Sequence, residues 1–290
     1  MHSGLGDYLI LCKPRVVLLM LLTVWTGMYL AAVEPISWAL WIHTTVGIAL
    51  VSGAAATLNH IIDHRLDAKM DRTKHRPLVT GKLSLRSAWM FACLQCVIGF
   101  MILYVYVNSL TAFLTLLAAV GYAIVYSLYL KRATSQNIVI GGLSGAMPPL
   151  LGWIAVTGRL DPQAWLLVLI IFTWTPAHFW ALCLHRYNEY KQAAIPMLPI
   201  THGIPFTKLN IVFYSLLTIA CSLLPYAIGM SGQLYLISVL VLNIGLIAYS
   251  LKLQFSTKDK QIALKTFKYS LVYLTGLFLA ILLDHYLLIN

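Results

Sequence analysis

The chain has 290 residues, of which 60% are hydrophobic and only 10% charged, and it carries a formal charge of +11 at pH 7. That composition excludes a soluble globular domain and describes an all-α polytopic membrane protein. The positive charge does not call for nucleic acid as a partner, because its distribution follows membrane topology.

Nine apolar runs are each long enough to cross a bilayer, at about 16–33, 37–58, 88–107, 110–130, 138–157, 164–184, 209–230, 233–253 and 268–288. The first leads into further runs of equal length and has no small-residue cleavage site, so it reads as a span and not as a removable leader. Short loops join spans 1 and 2, 3 and 4, 5 and 6, and 7 and 8. Of the 20 Lys and Arg residues, all except Arg159 precede span 1 or follow spans 2, 4, 6 and 8. The positive-inside rule then places the N-terminus and all long loops in the cytoplasm and the C-terminus outside. Every polar cluster opens on that one face, and no polar relay continues across the bilayer. This argues against a transporter or channel, which needs polar groups near mid-membrane.

Cys12, Cys93, Cys96, Cys183 and Cys221 are scattered in or beside apolar runs. Cys93-x-x-Cys96 lies inside a span with no partner pair, so the cysteines are expected to be plain packing residues without disulfide or zinc.

At the end of span 2, Asn59, Asp63 and Asp67 stand at four-residue spacing. Each such step on a helix turns about 40° past a full circle and rises about 6 Å, so the three form a row on one face, with Asp71 at or past the helix end. Two bare carboxylates about 6 Å apart repel by roughly 3 kcal/mol at an effective dielectric near 20, and such a row calls for a cation. Carboxylates with an amide oxygen suit a hard ion such as Mg²⁺, which often shares its shell with substrate phosphates. Arg65, Lys69, Arg72, Lys74, Arg76, Lys82 and Arg86 crowd the same stretch and suit the phosphates themselves. Arg72 and Arg76, one helical turn apart, are expected to face one anionic group together. Pro77 and Gly81 end the helix.

Between spans 4 and 5, Lys131 and Arg132 with Thr134 and Asn137 form a second candidate phosphate grip, preceded by Tyr126. Span 5 carries Gly141, Gly142, Ser144, Gly145 and Gly152 with Pro148 and Pro149. The small residues permit close helix approach and the prolines interrupt the hydrogen-bond ladder. Span 6 holds Trp174-Thr-Pro176-Ala-His178-Phe-Trp180, an ionisable side chain after a proline and among aromatics. Glu189, in the loop that follows, is a candidate for a second metal ion. The combined inference is a diphosphate head held at the surface through Mg²⁺ and bases, with a hydrophobic tail in the bilayer.

Three motifs carry a family resemblance. They are Asn59-x3-Asp63-x3-Asp67-x2-Met70-x-Arg72-Thr73-x2-Arg76-Pro77-Leu78, the run from Lys131-Arg132 through Asn137 and Gly141-Gly142 to Gly152-Trp153, and Trp174-Thr-Pro176-x-His178-Phe179-Trp180 with Ile195-Pro196-Met197-Leu198-Pro199. Through them the chain resembles the UbiA-type intramembrane prenyltransferases, and more narrowly their heme-farnesylating branch. The resemblance implies one membrane domain over residues 1–290, with about nine helices around a central lipid-accessible cavity. It implies transfer of farnesyl from farnesyl diphosphate to a vinyl group of heme b with addition of water. It implies Mg²⁺ at Asn59, Asp63 and Asp67, and a catalytic set of these three with Arg72, Arg76 and His178, the last on the heme side. Substrate contacts are expected from Lys69, Tyr126, Lys131, Arg132, Asn137, Trp174 and Trp180. The implied setting is a bacterial-type cytoplasmic (inner) membrane with the active site facing the cytoplasm. The implied partners are heme b, farnesyl diphosphate and membrane lipid, with heme A synthase or terminal oxidase assembly proteins nearby.

The chain departs from the family pattern at Ala177 in place of a second proline, at Glu189-Tyr190 in place of Asp-Tyr, and at Ala193-Ala194 in place of Ala-Gly. The alternatives are a prenyltransferase for a quinone precursor or other aromatic acceptor, and a heme-handling membrane transporter or chaperone. The Asp-x2-Asp-Gly-x2-Ala-Arg string of CDP-alcohol phosphotransferases is absent.

Overall fold

The structure, a computed structural model, describes residues 4–289, with side chains through residue 287. Among the described residues every regular element is helical, and nine helices are long and apolar enough to cross a membrane. The elements are α1 (Leu5–Leu11), α2 (Pro14–Ala31), α3 (Trp38–Asp67), α4 (Leu85–Tyr106) and α5 (Ser109–Val120), the last continuing as a π-helix (Gly121–Leu130) and a final turn to Ala133. They continue as α6 (Asn137–Ala146), α7 (Pro148–Thr157), α8 (Pro162–His185), α9 (Tyr187–Gln192), α10 (Leu198–Thr201), α11 (Ile204–Ala227), α12 (Gln233–Gln254) and α13 (Asp259–Ile289). The expected spans match these helices to within a few residues at most ends. The exceptions are α3, which runs nine residues past the apolar stretch and carries the acidic row on its last turns, and α13, which starts earlier than expected. The fifth span breaks at Met147, ahead of Pro148 and Pro149, into α6 and α7.

The chain divides into two compact units. The first holds the N-terminal part through Arg132 together with Met147–Leu160. Its α3 and α4 approach closely at a glycine pair: a Cβ on Gly99 would lie 2.8 Å from the Gly47 carbonyl oxygen. Its α2 and α7 meet backbone to backbone. A Cβ on Gly27 would lie 1.9 Å from the Pro149 oxygen, and one on Gly152 1.9 Å from the Val24 oxygen. Without a hydrophobic drive between helices in lipid, such small-residue contacts supply the packing. Large apolar side chains elsewhere, such as Leu94, Val97 and Met101 on α4, stay exposed, as lipid contact requires. At one end of this unit Leu11, Ile61, Leu83 and Ala88 form a small core with Tyr8, Leu58 and Leu78, which pins α1 and the 68–84 loop against α3.

The second unit holds Ala133–Ala146 and everything from Asp161 onward. Ala177, Trp180, Ala181, Leu184, Leu198, Ile211, Leu253 and Ala263 make its core, joining α8, α10, α11, α12 and α13. Pro176 sits inside α8 without ending it.

Candidate active site

In the first unit, the C-terminal end of α3 buries Asn59, Asp63 and Asp67 together. Each places an oxygen against a base. Lys13 Nζ donates to Asn59 Oδ1 at 2.6 Å, Lys131 Nζ to Asp63 Oδ2 at 2.6 Å, and Arg76 Nη1 to Asp67 Oδ2 at 2.6 Å. The amide of Asn59 is fully oriented: its Nδ2 donates to Asp63 Oδ2 and to Ser127 Oγ, both at 2.9 Å, which turns Oδ1 toward Lys13. Asp63 Oδ1 is buried and has no hydrogen-bond partner, an arrangement that is costly for a carboxylate oxygen unless a cation or donor reaches it.

The supporting pieces come from three directions. Ser127 lies on the π-helix, where its hydroxyl donates to the Tyr122 carbonyl and accepts from Asn59. π-Helices are rare and cluster at functional sites. The same segment stacks Tyr122 on Tyr126, with centroids 5.9 Å apart, and ends at Lys131. Lys13, between α1 and α2, has a left-handed backbone (φ 50°) directly before Pro14, a strained conformation for a non-glycine residue. Its ammonium also reaches the Tyr122 hydroxyl at 3.3 Å. Burial, then the nearby Arg76 charge, pushes its pKa down to about 8, against the opposing pull of Asp63 and Asp67. Beyond Asp67 the chain folds through successive turns, with the Thr73 hydroxyl donating to the Asp67 carbonyl at 2.9 Å, and this brings Arg76 back to the row.

That turn-rich path replaces the expected helical turn between Arg72 and Arg76. Arg76 pairs with Asp67, and Arg72 is exposed on the loop, as is Lys69, with the charges of both arginines acting on Lys13. Asp71 is exposed and paired with Lys74 at 2.7 Å, and that hydrogen bond holds its carboxyl below the usual range. Arg132 donates to the Ile62 carbonyl at 3.2 Å, so of the expected Lys131–Arg132 grip only Lys131 reaches the row. Lys13, Tyr122 and Ser127 are the residues that sequence reasoning did not single out. His60, next to Asn59, is also buried, and neither ring nitrogen has a hydrogen-bond partner.

In the second unit, His178 stacks on Trp174 (centroids 4.1 Å) and packs against Phe267 (4.5 Å). Its Nδ1 lies 2.6 Å from Ser270 Oγ, and Trp174 Nε1 donates to the Ser270 carbonyl at 2.9 Å. The Ser270 hydroxyl donates its one proton to the Phe267 carbonyl at 2.7 Å, so it accepts from His178. The proton is therefore on Nδ1, and Nε2 carries the lone pair, the tautomer suited to metal ligation. Trp180 is buried in the core of this unit and packed edge-on against Tyr214. Asn137 is buried and donates to the Thr134 carbonyl within its own turn. Glu189 is half-buried and lies 3.8 Å from Arg186. Among the described residues no three His, Cys, Asp or Glu side chains gather as a metal site.

The α3 row fits a hard cation on its donor chemistry: two carboxylates, one amide oxygen that accepts from Lys13, and a buried carboxylate oxygen without a partner. With only two carboxylates, it suits an ion whose shell is completed by water and phosphate.

The chain is 57% identical to protoheme IX farnesyltransferase of Legionella pneumophila (strain Paris) over 97% of its own length and 95% of the relative's. It is 54% identical to protoheme IX farnesyltransferase of Alcanivorax borkumensis, over 97% and 93%. Among solved structures it is similar to digeranylgeranylglyceryl phosphate synthase, with TM-score 0.82, 20% identity, and 97% and 98% of the two chains covered. It is also similar to a UbiA homolog from Archaeoglobus fulgidus bound to DMAPP and Mg²⁺, with TM-score 0.69, 19% identity, and 95% and 99% covered. The model of the UbiA prenyltransferase family matches residues 20–272, and the chain belongs to that family.

Proposed function

We propose that the protein transfers the farnesyl group of farnesyl diphosphate to a vinyl group of heme b, with addition of water, giving heme O and diphosphate. Family membership and relatives at 52–57% identity that bear the name protoheme IX farnesyltransferase support this reading. The observation that carries it is the buried row of Asn59, Asp63 and Asp67, each matched to a base at 2.6 Å. The C–O bond to diphosphate breaks, a C–C bond forms to the vinyl group, and water supplies a hydroxyl as one proton leaves.

Asn59, Asp63 and Asp67 would hold Mg²⁺, which when bound supplies Lewis-acid stabilisation of charge on the departing diphosphate. The solved UbiA homolog bound to DMAPP and Mg²⁺ supports that pairing. Lys13, Lys131 and Arg76 supply positive charge beside the row for the diphosphate oxygens. Exposed Arg72 and Lys69 attract the anion to the surface. The stacked rings of Tyr122 and Tyr126 offer π-faces to an allylic cation. On the heme side, His178 Nε2 serves as a ligand or positioning group, with its tautomer held by Ser270.

The same reading makes residues 1–290 one functional domain in a bacterial-type inner membrane. The site faces the cytoplasm, the C-terminus lies outside, and heme A synthase or oxidase assembly proteins take up the product. The placement of basic residues and the span of the family match support this. The test is incubation of purified protein with heme b, farnesyl diphosphate and Mg²⁺, followed by mass spectrometry for farnesylated heme. Farnesylation of a quinone precursor but not heme would redirect the acceptor. No prenylation of either, with heme still bound, would make the protein a heme carrier.

A further inference from the structure

We infer that Lys13, Lys131 and Arg76 act as exchangeable counter-ions: each occupies an oxygen the metal ion needs, so divalent metal and diphosphate are taken up as a pair. This rests on the reading of Asn59, Asp63 and Asp67 as the metal-binding row.

The pairing is one to one. Asn59 Oδ1, Asp63 Oδ2 and Asp67 Oδ2 each accept from a different base at 2.6 Å. All three acceptors are buried on one continuous helix, α3. The bases all lie at ends or turns: Lys13 in the bend between α1 and α2, Lys131 after the π-helix, Arg76 in the 68–84 turns. The oxygens are therefore rigidly placed, while the bases sit on long side chains at sites that can adjust.

Charge decides the order of events. Two carboxylates against three bases leave a formal surplus of one positive charge. A divalent ion arriving alone meets that surplus in a poorly solvated setting and must also strip bases from the oxygens it needs, leaving them without partners. A diphosphate arriving alone, with about three negative charges, meets two carboxylates beside the bases. When both arrive, the ion takes the oxygens, the bases turn onto phosphate oxygens, and the charges cancel. The assignment makes Lys13 a diphosphate-binding residue and gives Lys131 and Arg76 two partners each, at different stages.

The experiment is Mn²⁺ binding to the purified full chain in detergent, followed by electron paramagnetic resonance of protein-bound Mn²⁺, with and without inorganic pyrophosphate. Wild-type protein is expected to bind Mn²⁺ at least about 10-fold more tightly when pyrophosphate is present. Lys131→Ala and Lys13→Ala are expected to bind Mn²⁺ alone about 10-fold more tightly than wild type and to lose most of the gain from pyrophosphate. Wild-type affinity that is indifferent to pyrophosphate overturns the inference. So does a folded Lys131→Ala or Lys13→Ala protein with no gain for Mn²⁺ alone. Should either variant fail to fold, the wild-type comparison decides. Asp63→Asn separates the two levels: Mn²⁺ binding that survives this change removes the row itself. Binding lost in Asp63→Asn, with no pyrophosphate effect in wild type, removes only the exchange.

Discussion

The Lys131 ammonium lies 2.6 Å from the Asp63 carboxylate, joining residues 68 positions apart at the heart of the acidic row. Both side chains are largely shielded, at 15% and 3% exposure. Breaking such a pair from one side leaves an uncompensated charge and costs about 3–5 kcal/mol when fully buried, somewhat less here because Lys131 keeps some solvent. Asp63→Ala is therefore expected to lose stability as well as turnover. Asp63→Asn keeps an acceptor for Lys131 while removing the negative charge. It is expected to lower heme farnesylation at least about 100-fold, with a melting temperature closer to wild type than that of Asp63→Ala. Product quantitation and thermal unfolding of the two variants check this together.

Gly152 tests the packing of the first unit. Its missing Cβ accommodates the Val24 carbonyl, a backbone atom that cannot swing aside. Gly152→Ala is expected to destabilise by about 3 kcal/mol or more, at or above the usual range for overpacking. Gly145 is the control: nothing lies within 4 Å of a Cβ there, and alanine is expected to be neutral or to stabilise α6 by up to about 1 kcal/mol. Thermal unfolding in one detergent ranks the pair.

Ala194 carries φ 52°, a left-handed conformation that glycine adopts freely and alanine does not. It lies at one of the departures from the pattern that the family resemblance implies, Ala193-Ala194. Ala194→Gly is expected to stabilise by about 0.5–1 kcal/mol, the relief of strain offset in part by greater freedom of the unfolded chain. The readout is a rise in melting temperature with unchanged activity.

The sequence made the nine spans legible because the bilayer fixes a length that composition alone can meet, and it made the row legible because four-residue spacing has one helical meaning. The bases were harder. Lys13 stands before span 1 among residues that obey the positive-inside rule, and nothing in its neighbourhood distinguishes a topological lysine from one that reaches Asn59. The π-helix at Gly121–Leu130 has no compositional mark, since its apolar residues read equally as α-helix, so Ser127 was invisible. Arg72 and Arg76 looked like one face because a helix was extended past Asp67, where the chain in fact turns. The proline pair at Pro148 and Pro149 did mark the break at Met147, although not that α6 and α7 belong to different compact units.

His60 is 3% exposed, and both of its ring nitrogens lack hydrogen-bond partners. A buried polar group in that state costs about 1–3 kcal/mol, and leucine, closer to histidine in volume than phenylalanine, carries no such group and avoids overpacking. His60→Leu is expected to raise ligand-free stability by about 1 kcal/mol, visible as a higher melting temperature.

On the heme side, Ser270 is predicted to matter through His178. Its hydroxyl accepts from Nδ1 because its own proton goes to the Phe267 carbonyl, and this keeps the Nε2 lone pair available. His178→Ala is expected to weaken heme b binding and shift the heme absorption spectrum, leaving pyrophosphate binding unchanged, since the diphosphate is assigned to residues of the first unit. Ser270→Ala removes the acceptor but not the ligand. It is expected to weaken heme binding by about 10-fold, the size typical of losing an outer partner of a ligating histidine, with a smaller spectral shift than His178→Ala. Titration of both variants with heme b, read by absorption, and with pyrophosphate, read by thermal shift, separates the two ligands. Equal loss of heme and pyrophosphate binding in His178→Ala would remove this residue from the heme side.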